Sequence, residues 1–242
     1  MRVLSLFSGG GLGDYGLELA GMEIVGQVEI DDYCQKILKL RWPDVPKWRD
    51  IREVKGEEVV KTVGRVDLIS GGFPCQPFSV AGKQRGKQDD RYLWPEMFRV
   101  VSEVKPAYVL GENVPGIIKS ALDQVLSDLE SIGYTCQAFT IPACAVDAPH
   151  RRDRLWVVGY NVADSESIRT QGRIRKPRTG RSESWKNSWW PIEPSICRVV
   201  DECPDRVHRL KLLGNGQVVQ VVQWIGERIM EFDAKQEDGK GV

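Results

Sequence analysis

Short apolar runs alternate with amphipathic segments along the first two-thirds of the chain, and this alternation restricts the fold more than any single motif does. The runs "RVLSLFS", "MEIVGQVEI", "RVDLISGG" and "AYVLGENV" have the length and composition of buried strands. Between them lie segments with helical spacing, "GLGDYGLELAG", "DDYCQKILKLRW" and "LWPEMFRVVSEVKP". Strands that alternate with helices predict an α/β protein built on a doubly wound, mostly parallel sheet.

Several residues mark where these elements begin and end. Asp31 is predicted to cap the second helix, and Gly133 to end the helix in "SALDQVLSDLESIG". "YTCQAFTIPA" and "RLWVVGYN" are predicted to be late strands. "NGQVVQVVQWIGERIMEF" is predicted to form a closing helix, and residues 233–242 to be loose.

The composition excludes several kinds of protein. The 242 residues are 41% hydrophobic, enough for one domain with a real core, and their net charge is zero. Any surface that binds nucleic acid must therefore be a local patch of positive charge. No apolar run reaches the roughly 20 residues of a membrane span. Six cysteines without a CxxC pair, and two histidines, predict no metal site. We expect a cytoplasmic protein made without a signal peptide.

The segment from 161 to 206 differs in character from the rest of the chain. It is polar and weakly periodic, its basic residues include Arg173, Arg175 and Arg178, and tryptophans lie nearby. Two interpretations are equally open: a solvated insert without regular structure, or a basic strip that contacts phosphates and bases. We therefore divide the chain into a main domain, 1–160 plus 207–242, and a short irregular insert, 161–206.

A glycine-rich turn follows the first predicted strand and opens the first helix. "FSGGGLGDYG" contains G-x-G-x-x-G from Gly11, which is a weak pattern by itself. Glycines let the backbone approach a ligand, and a helix N-terminus offers free N–H groups. Glu29, at the end of the second strand, would suit the hydroxyls of a ribose. A nicotinamide dinucleotide and S-adenosylmethionine both fit these features.

Four other side chains fall near the ends of predicted strands. Cys75 follows "VDLISGG" and stands between two prolines, and Glu112 follows "AYVLG". Arg152 and Arg154 precede a late strand and share a face if that segment is extended. Ligands gather at the carboxyl ends of strands in an open α/β sheet, so a nucleophile, an acid and a nucleotide pocket are predicted on one edge. The alternatives are a structural turn with a buried thiol and a surface salt-bridge cluster.

In order and spacing, these motifs resemble those of the DNA (cytosine-5)-methyltransferases. "LSLFSGGGLGDYGLELAG" is similar to the first S-adenosylmethionine motif of that family, "GFPCQPFS" to its catalytic-cysteine motif, "GENV" to its Glu-Asn-Val motif and "HRRDR" to its Gln-x-Arg-x-Arg motif. "LGNGQVV" is similar to its late Gly-Asn motif. The match covers 1–159 and 210–229. It implies a Rossmann-like methyltransferase fold, S-adenosylmethionine as cofactor and double-stranded DNA as partner.

The resemblance implies a reaction. Cys75 would attack C6 of a cytosine flipped out of the duplex, Glu112 would protonate N3, and C5 would accept the methyl group. Arg152 and Arg154 would hold the cytosine carbonyl and the geometry of attack.

The resemblance also implies two sets of binding residues. The cofactor set, with Glu29 on the ribose and Asp50 near the adenine, comprises Phe7, Gly9, Gly11, Leu12, Glu29, Ile30, Asp50, Ile51, Gly72, Pro74, Leu93 and Asn215. The DNA set combines the loop after Cys75 with the basic insert and comprises Ser79, Lys83, Gln84, Arg91, Arg173, Arg175 and Arg178. No metal is implied.

The chain departs from the family pattern at three places. His150 stands where the family usually has glutamine, and Val219 where a proline often follows the Gly-Asn motif. The region between the arginine motif and the Gly-Asn motif, where the family usually carries a large target-recognition region, is short. Its basic composition predicts a minimal insert that contacts DNA, and a partner chain is needed if this insert alone cannot give specificity.

Two alternative functions stay open from the sequence. A non-catalytic relative that binds S-adenosylmethionine or DNA would fit the short insert, whereas an RNA cytosine methyltransferase would apply the same chemistry to another acceptor. The resemblance implies a bacterial or phage-encoded protein, cytoplasmic and associated with the nucleoid while acting. Restriction–modification, protection of a mobile element and regulation are all compatible with the sequence.

Overall fold

A seven-stranded, mostly parallel sheet forms the centre of the protein. The computed structural model describes residues 1–74, 92–161 and 205–238. The strands are β1 (Arg2–Leu6), β2 (Glu23–Val28), β3 (Lys47–Trp48), β4 (Leu68–Gly71), β5 (Tyr108–Asn113), β6 (Tyr134–Pro142) and β7 (Asp153–Asn161). They lie side by side in the order β3-β2-β1-β4-β5-β7-β6. Strands β1 to β5 are parallel, whereas β7 is antiparallel to both β5 and β6.

Seven α-helices are found in the described part of the chain. They are α1 (Leu12–Leu19), α2 (Asp32–Arg41), α3 (Gly56–Val63), α4 (Trp94–Val104), α5 (Leu122–Ser131), α6 (Arg206–Asn215) and α7 (Val219–Asp238). Within the described ranges, none of these helices has the length and apolar character needed to cross a membrane.

The predicted doubly wound sheet is confirmed, and each strand and helix predicted from the sequence is present. Asp31 caps α2, because its carboxylate accepts hydrogen bonds from the backbone N–H groups of Tyr33 and Cys34. The prediction that residues 233–242 are loose is wrong for 233–238, since α7 continues to Asp238. Asp233 anchors this last part by accepting a hydrogen bond from the hydroxyl of Tyr108 at 3.0 Å. Strand β3 and helices α3 and α6 are short elements that were not predicted.

Side chains alternate between the two faces of the central strands, and each face has its own core. On one face, Val3, Leu68 and Leu110 pack with residues of α1 and α7. On the other face, Leu4 and Ile69 pack with residues of α3, α4 and α5. Because both faces are covered, these strands are apolar along their whole length instead of alternating between apolar and polar residues.

The strand order determines where a ligand can bind. Strand β1 pairs with β2 on one side and with β4 on the other. The chain therefore winds outward in two directions from β1, and a crevice opens at the carboxyl end of this strand. The residues that follow β1, β2, β4 and β5 all reach this one edge of the sheet.

Helices α1 and α7 pack closely because glycines stand where they meet. A Cβ atom on Gly16 would lie 2.6 Å from the carbonyl oxygen of Val219, and one on Gly226 would lie 2.8 Å from the Cβ of Ala20. Both distances are shorter than normal contacts. The close packing holds the start of α7, and the turn before it, next to the glycine-rich turn.

Replacing Gly16 with alanine should therefore destabilise the protein. Overpacking costs about 1–3 kcal/mol, and about 1 kcal/mol of improved helix propensity offsets part of this cost. We expect a lower midpoint of urea unfolding. The matched control is Gly214→Ala, because within the described ranges no atom lies within 4 Å of the Cβ position at Gly214. A midpoint for Gly16→Ala at or above that of the wild type would contradict the close packing.

Candidate active site

A cavity of about 530 Å³ lies at the carboxyl edge of the sheet. The ends of β1, β2, β4 and β5 form its walls, together with the chain between α6 and α7. Eleven of the twelve predicted cofactor residues line it: Phe7, Gly9, Leu12, Glu29, Ile30, Asp50, Ile51, Gly72, Pro74, Leu93 and Asn215. Glu112 and Arg154 also line this cavity.

The carboxylate of Glu29 fixes the turn that follows β1. It accepts hydrogen bonds from the backbone N–H groups of Gly9 at 2.7 Å and Asp31 at 2.8 Å. Phe7 and Gly9 have positive φ angles of 56° and 55°, and this conformation is strained for phenylalanine. A side chain from the neighbouring strand thus stabilises a strained turn. Each carboxylate oxygen retains a lone pair that can accept a further hydrogen bond from a ligand hydroxyl.

Gly11 is the predicted cofactor residue that the structure keeps away from the cavity. It stands at the N-terminus of α1 with a φ of 79°, and a Cβ atom there would lie 2.3 Å from the ring of Trp42. Glycine is therefore required at this position by a left-handed backbone and by packing against α2. Gly16, later in the same G-x-G-x-x-G pattern, serves the packing of α1 against α7.

A buried acidic network behind the glycine-rich turn was not predicted. Asp14 accepts hydrogen bonds from Ser5 Oγ at 2.5 Å and from Gln27 Nε2 at 2.6 Å, and Ser8 Oγ donates to Ser5 Oγ at 2.9 Å. Burial raises the pKa of Asp14 to about 6, although the two hydrogen bonds to its carboxylate act in the opposite direction. The network joins β1, β2 and α1. Its signal in the sequence is a serine within the apolar run of β1.

Glu112, at the end of β5, is paired with an arginine of the neighbouring strand. The Nε atom of Arg154 lies 3.0 Å from Glu112 Oε1. Glu112 is 8% exposed. Burial raises its pKa to about 7, while the charges of Arg154 and Arg152 lower it. A carboxyl group that is half protonated near neutral pH is suited to general acid–base catalysis.

Two hydrogen bonds hold the backbone at the end of β4. Asn113 Nδ2 donates a hydrogen bond to the carbonyl oxygen of Phe73 at 2.9 Å. The backbone N–H of Leu93 donates a hydrogen bond to the carbonyl oxygen of Pro74 at 3.3 Å. Asn113, in the Glu-Asn-Val motif, therefore fixes the chain two residues before Cys75. Cys75 itself lies outside the described residues.

The prediction that Arg152 and Arg154 share a face applies only to an extended segment, and Arg152 does not meet this condition. Arg154 lies within β7, whereas Arg152 precedes the strand and has a φ of 33°. Arg152 makes its side-chain hydrogen bonds with the end of α6 and the residue after it, while its charge still acts on Glu112. Its Nη2 atom donates hydrogen bonds to the carbonyl oxygens of Gly214 at 2.8 Å and Gly216 at 2.7 Å.

Helix α6 closes one side of the cavity through side-chain contacts with α2. Lys211 Nζ donates a hydrogen bond to Asp31 Oδ2 at 2.8 Å, and the rings of His208 and Tyr33 stack with their centroids 5.1 Å apart. The pair with Lys211 lowers the pKa of Asp31 to about 2. His208 and Lys211 both line the cavity, although neither was predicted.

Gln217 is a further cavity residue that was not predicted. Its side-chain amide lies between two turns: a Cβ atom on Gly13 would be 2.1 Å from Gln217 Oε1, and one on Gly72 would be 3.3 Å from Nε2. The amide makes no hydrogen bond with another described residue, so it is available to a ligand. Its signal in the sequence is a polar residue directly after the Gly-Asn motif and before a pair of valines.

Part of the predicted site lies outside the described residues. This applies to Cys75 and to the whole predicted DNA set, Ser79, Lys83, Gln84, Arg91, Arg173, Arg175 and Arg178. Their roles, and the division of the chain at 161–206, stay predictions. In the part of the chain that the structure describes, no group of three His, Cys, Asp or Glu side chains could hold a metal ion.

Comparison with known proteins assigns the chain to a family. Residues 1–195 match the family model described as C-5 cytosine-specific DNA methylase. The chain belongs to this family. The resemblance drawn from the cysteine, glutamate, arginine and Gly-Asn motifs is thereby confirmed, and so is the predicted class of fold. In this member of the family, Glu112 and Arg154 meet at the cavity wall.

The alignments with named relatives cover different fractions of the length of each relative. The type II methyltransferase M.PspPI of Psychrobacter sp. is 37% identical over 66% of this chain and 39% of its own. The type II methyltransferase M.AquIA of Picosynechococcus sp. is 32% identical over 66% of this chain and 72% of its own. A solved structure, described as a DNA modification methyltransferase encoded within an E. coli prophage, aligns with a TM-score of 0.59 and 26% identity over 73% of this chain and 52% of that one. The chain thus spans about half or less of two of these relatives.

Replacing Asp14 with asparagine should flatten the dependence of stability on pH. The folded wild type holds a proton on Asp14 that the unfolded chain releases, because the pKa is about 6 rather than 3.8. The resulting stabilisation is complete below pH 3.8 and is lost as the pH rises through 6, on the order of 3 kcal/mol. The stability of the asparagine variant would not decrease in this way as the pH rises. Its new amide could donate a hydrogen bond to Gln27 Oε1, which is buried without a partner among the described residues.

Urea unfolding of the wild type and of Asp14→Asn at about pH 5 and pH 8 would measure this difference. The exposed Asp123, changed to asparagine, is the control and should follow the wild type. An identical pH dependence for Asp14→Asn and the wild type would contradict the assignment of a buried, titrating Asp14.

Proposed function

We propose that this chain transfers a methyl group from S-adenosylmethionine to C5 of cytosine in double-stranded DNA. The observation that carries the proposal is the pairing of Glu112 with Arg154 in the wall of the cavity, beside the strand end that leads to Cys75. Membership of the cytosine-specific DNA methylase family supports it. The chain spans about two-fifths of the length of M.PspPI. We propose that the chain is active by itself.

The residues around the cavity fit S-adenosylmethionine. A volume of about 530 Å³ lies within the range of small-molecule sites. The carboxylate of Glu29 has lone pairs for the ribose hydroxyls, and Phe7, Ile30 and Leu93 offer apolar surface to the adenine. At Gly9, no atom of the described residues lies within 4 Å of the Cβ position, so the turn leaves its backbone open to a ligand. When bound, S-adenosylmethionine supplies an electrophilic methyl group.

Cys75 and Glu112 would share the activation of the cytosine. The Cys75 thiolate forms a bond to C6 while Glu112 gives a proton to N3, so that negative charge does not build up on the ring. The electron pair then placed at C5 would take up the methyl group that bound S-adenosylmethionine would supply, and the cofactor would leave as the neutral thioether. A base removes the proton from C5, the C6–S bond breaks to free the thiolate, and Glu112 takes back the proton of N3.

Arg154 holds Glu112 in place for this role. The pair is largely buried, with 18% of the Arg154 side chain and 10% of the Glu112 side chain exposed. Arg154 binds Oε1 of Glu112. The other oxygen, Oε2, lies beside Gly72 and is available to a cytosine in the cavity. The Nη2 atom of Arg154 makes no hydrogen bond with a described residue, so we assign it to the cytosine carbonyl.

We further propose that the basic insert contacts the DNA backbone. Arg173, Arg175 and Arg178 supply positive charge for phosphates, and the cytosine must leave the duplex before it can enter the cavity. The short length of this insert suits a short or relaxed target sequence, or recognition with the help of a partner chain.

The reaction can be tested by mapping 5-methylcytosine in a host that lacks cytosine methylation. Expression of the wild-type chain should give methylation at a defined short sequence. Cys75→Ala should abolish this methylation because no bond to C6 can form, yet it should still bind S-adenosylmethionine. Cys144→Ala, which removes an exposed thiol, is the matched control and should methylate like the wild type.

Methylation that persists in Cys75→Ala would overturn the mechanism. If the folded wild-type protein binds S-adenosylmethionine but produces no methylation, the proposal that the chain is active by itself is wrong. Duplex DNA and structured RNA, compared as acceptors with the purified protein, would then show whether another nucleic acid is the substrate.

Glu112→Gln should lower the rate of a single methyl transfer by about 10²–10⁴-fold, the usual contribution of a positioned general acid. In the wild type, the pKa of about 7 means that the protonated form is depleted as the pH rises above 7, so the rate should fall there. The glutamine variant should lack this decrease above pH 7. Single-turnover rates between about pH 6 and pH 9 measure both effects.

The exposed Glu130, changed to glutamine, provides the control and should keep both the rate and the pH profile of the wild type. A Glu112→Gln variant that keeps the wild-type rate would remove Glu112 from proton transfer.

A further inference from the structure

We infer that Arg152 is a positioning residue for the cofactor cavity and not a contact of the cytosine. Its guanidinium group fixes the late turn, defined here as residues 214–217, against the sheet edge that carries the catalytic pair. The inference rests on the proposed function, because it concerns how the site for S-adenosylmethionine is held in shape.

Two hydrogen bonds connect Arg152 with the late turn. One nitrogen, Nη2, donates to the carbonyl oxygens of Gly214 and Gly216 at 2.8 Å and 2.7 Å. Both distances are typical of charge-assisted hydrogen bonds. Because the acceptors are more than sixty residues away in sequence, the contact fixes the tertiary position of the turn rather than its local conformation.

The late turn needs such a partner because it includes the C-terminal end of α6. The last carbonyl groups of a helix have no partner within the helix, and they favour positive charge. Helix α6 has no basic residue in its own last turn. Arg152, which comes from a different part of the chain, supplies the missing cation at this end.

The backbone of Arg152 is itself shaped for this contact. Its φ of 33° is unusual for a residue with a side chain, and strain of this kind persists where the surroundings require it. Arg152 does not line the cavity, whereas Arg154, two residues later, does. The two arginines therefore make their close contacts with different partners: Arg154 forms an ion pair with Glu112, and Arg152 donates hydrogen bonds to the late turn.

The late turn presents two side chains to the cavity. Asn215 and Gln217 both line it, and the amide of Gln217 lies between Gly13 and Gly72. Arg152 is half-buried and reaches the turn from outside the cavity. If its guanidinium group is removed, these two amides lose their fixed position, and the cavity should bind its cofactor less tightly before any DNA is present.

Binding of S-adenosylhomocysteine to the purified full-length chain, measured by calorimetry without DNA, tests this inference. Arg152→Ala should raise the dissociation constant by about tenfold to a hundredfold, the range expected for losing charged hydrogen bonds. Arg152→Lys keeps the charge and some donors but not the planar group, so it should fall between Arg152→Ala and the wild type. Arg151→Ala removes the neighbouring arginine, which is exposed and paired with Asp153, and it should bind like the wild type.

Methyl-transfer kinetics add a readout that loss of folding would not mimic. Arg152→Ala should raise the KM for S-adenosylmethionine by a larger factor than it lowers kcat at saturating cofactor. If Arg152→Ala does not fold, Arg152→Lys decides, and a wild-type dissociation constant for that variant would overturn the inference.

Two further outcomes separate this inference from the proposed function. If Arg152→Ala binds S-adenosylhomocysteine like the wild type but loses methyl transfer, Arg152 contacts the cytosine. The inference is then overturned, while the proposed function stands. If the wild-type chain does not bind S-adenosylhomocysteine, the proposed function fails and the inference fails with it.

Discussion

The parallel pairing of β1 with β2 on one side and β4 on the other is the constraint on which the site depends. Parallel strands end at the same edge, so the turns after β1, β2 and β4 are brought together there. The order in which the chain adds strands opens a crevice at this edge, and helices on both faces keep it rigid. The cavity is thus a consequence of sheet topology, and the side chains at the strand ends give it chemical character.

Two buried carboxyl groups, Asp14 and Glu112, distinguish this edge from an ordinary sheet end. Burial raises the pKa of both, but their partners differ. Asp14 accepts hydrogen bonds from the neutral donors Ser5 and Gln27 and links three elements at the cavity wall. Glu112 is paired with a charged arginine and faces the cavity. The first arrangement stabilises the glycine-rich turn, and the second leaves an acid available for exchange of protons.

Much of the fold and of the cavity could be predicted from the sequence, because local patterns carry that information. Asp31 as a helix cap and Glu29 at the end of β2 follow from position relative to an apolar run. Lys211 could not be found in this way, since its role depends on Asp31, which is distant in sequence. Gly11 and Arg152 show the converse: their motifs are recognisable, yet packing against Trp42 and hydrogen bonding to the late turn decide what each one contacts.

The sequence by itself determined the α/β class, the family and the chemical groups available, because alternating apolar runs and spaced Cys, Glu and Arg motifs are local properties. The tertiary structure decided how those groups are used. It placed Glu112 beside Arg154 and buried it, and this burial raises the pKa of the carboxyl group to about 7. It also turned Arg152 towards the carbonyl groups of Gly214 and Gly216. Distances and burial of this kind arise only when strands far apart in sequence are packed side by side, so no local pattern can specify them.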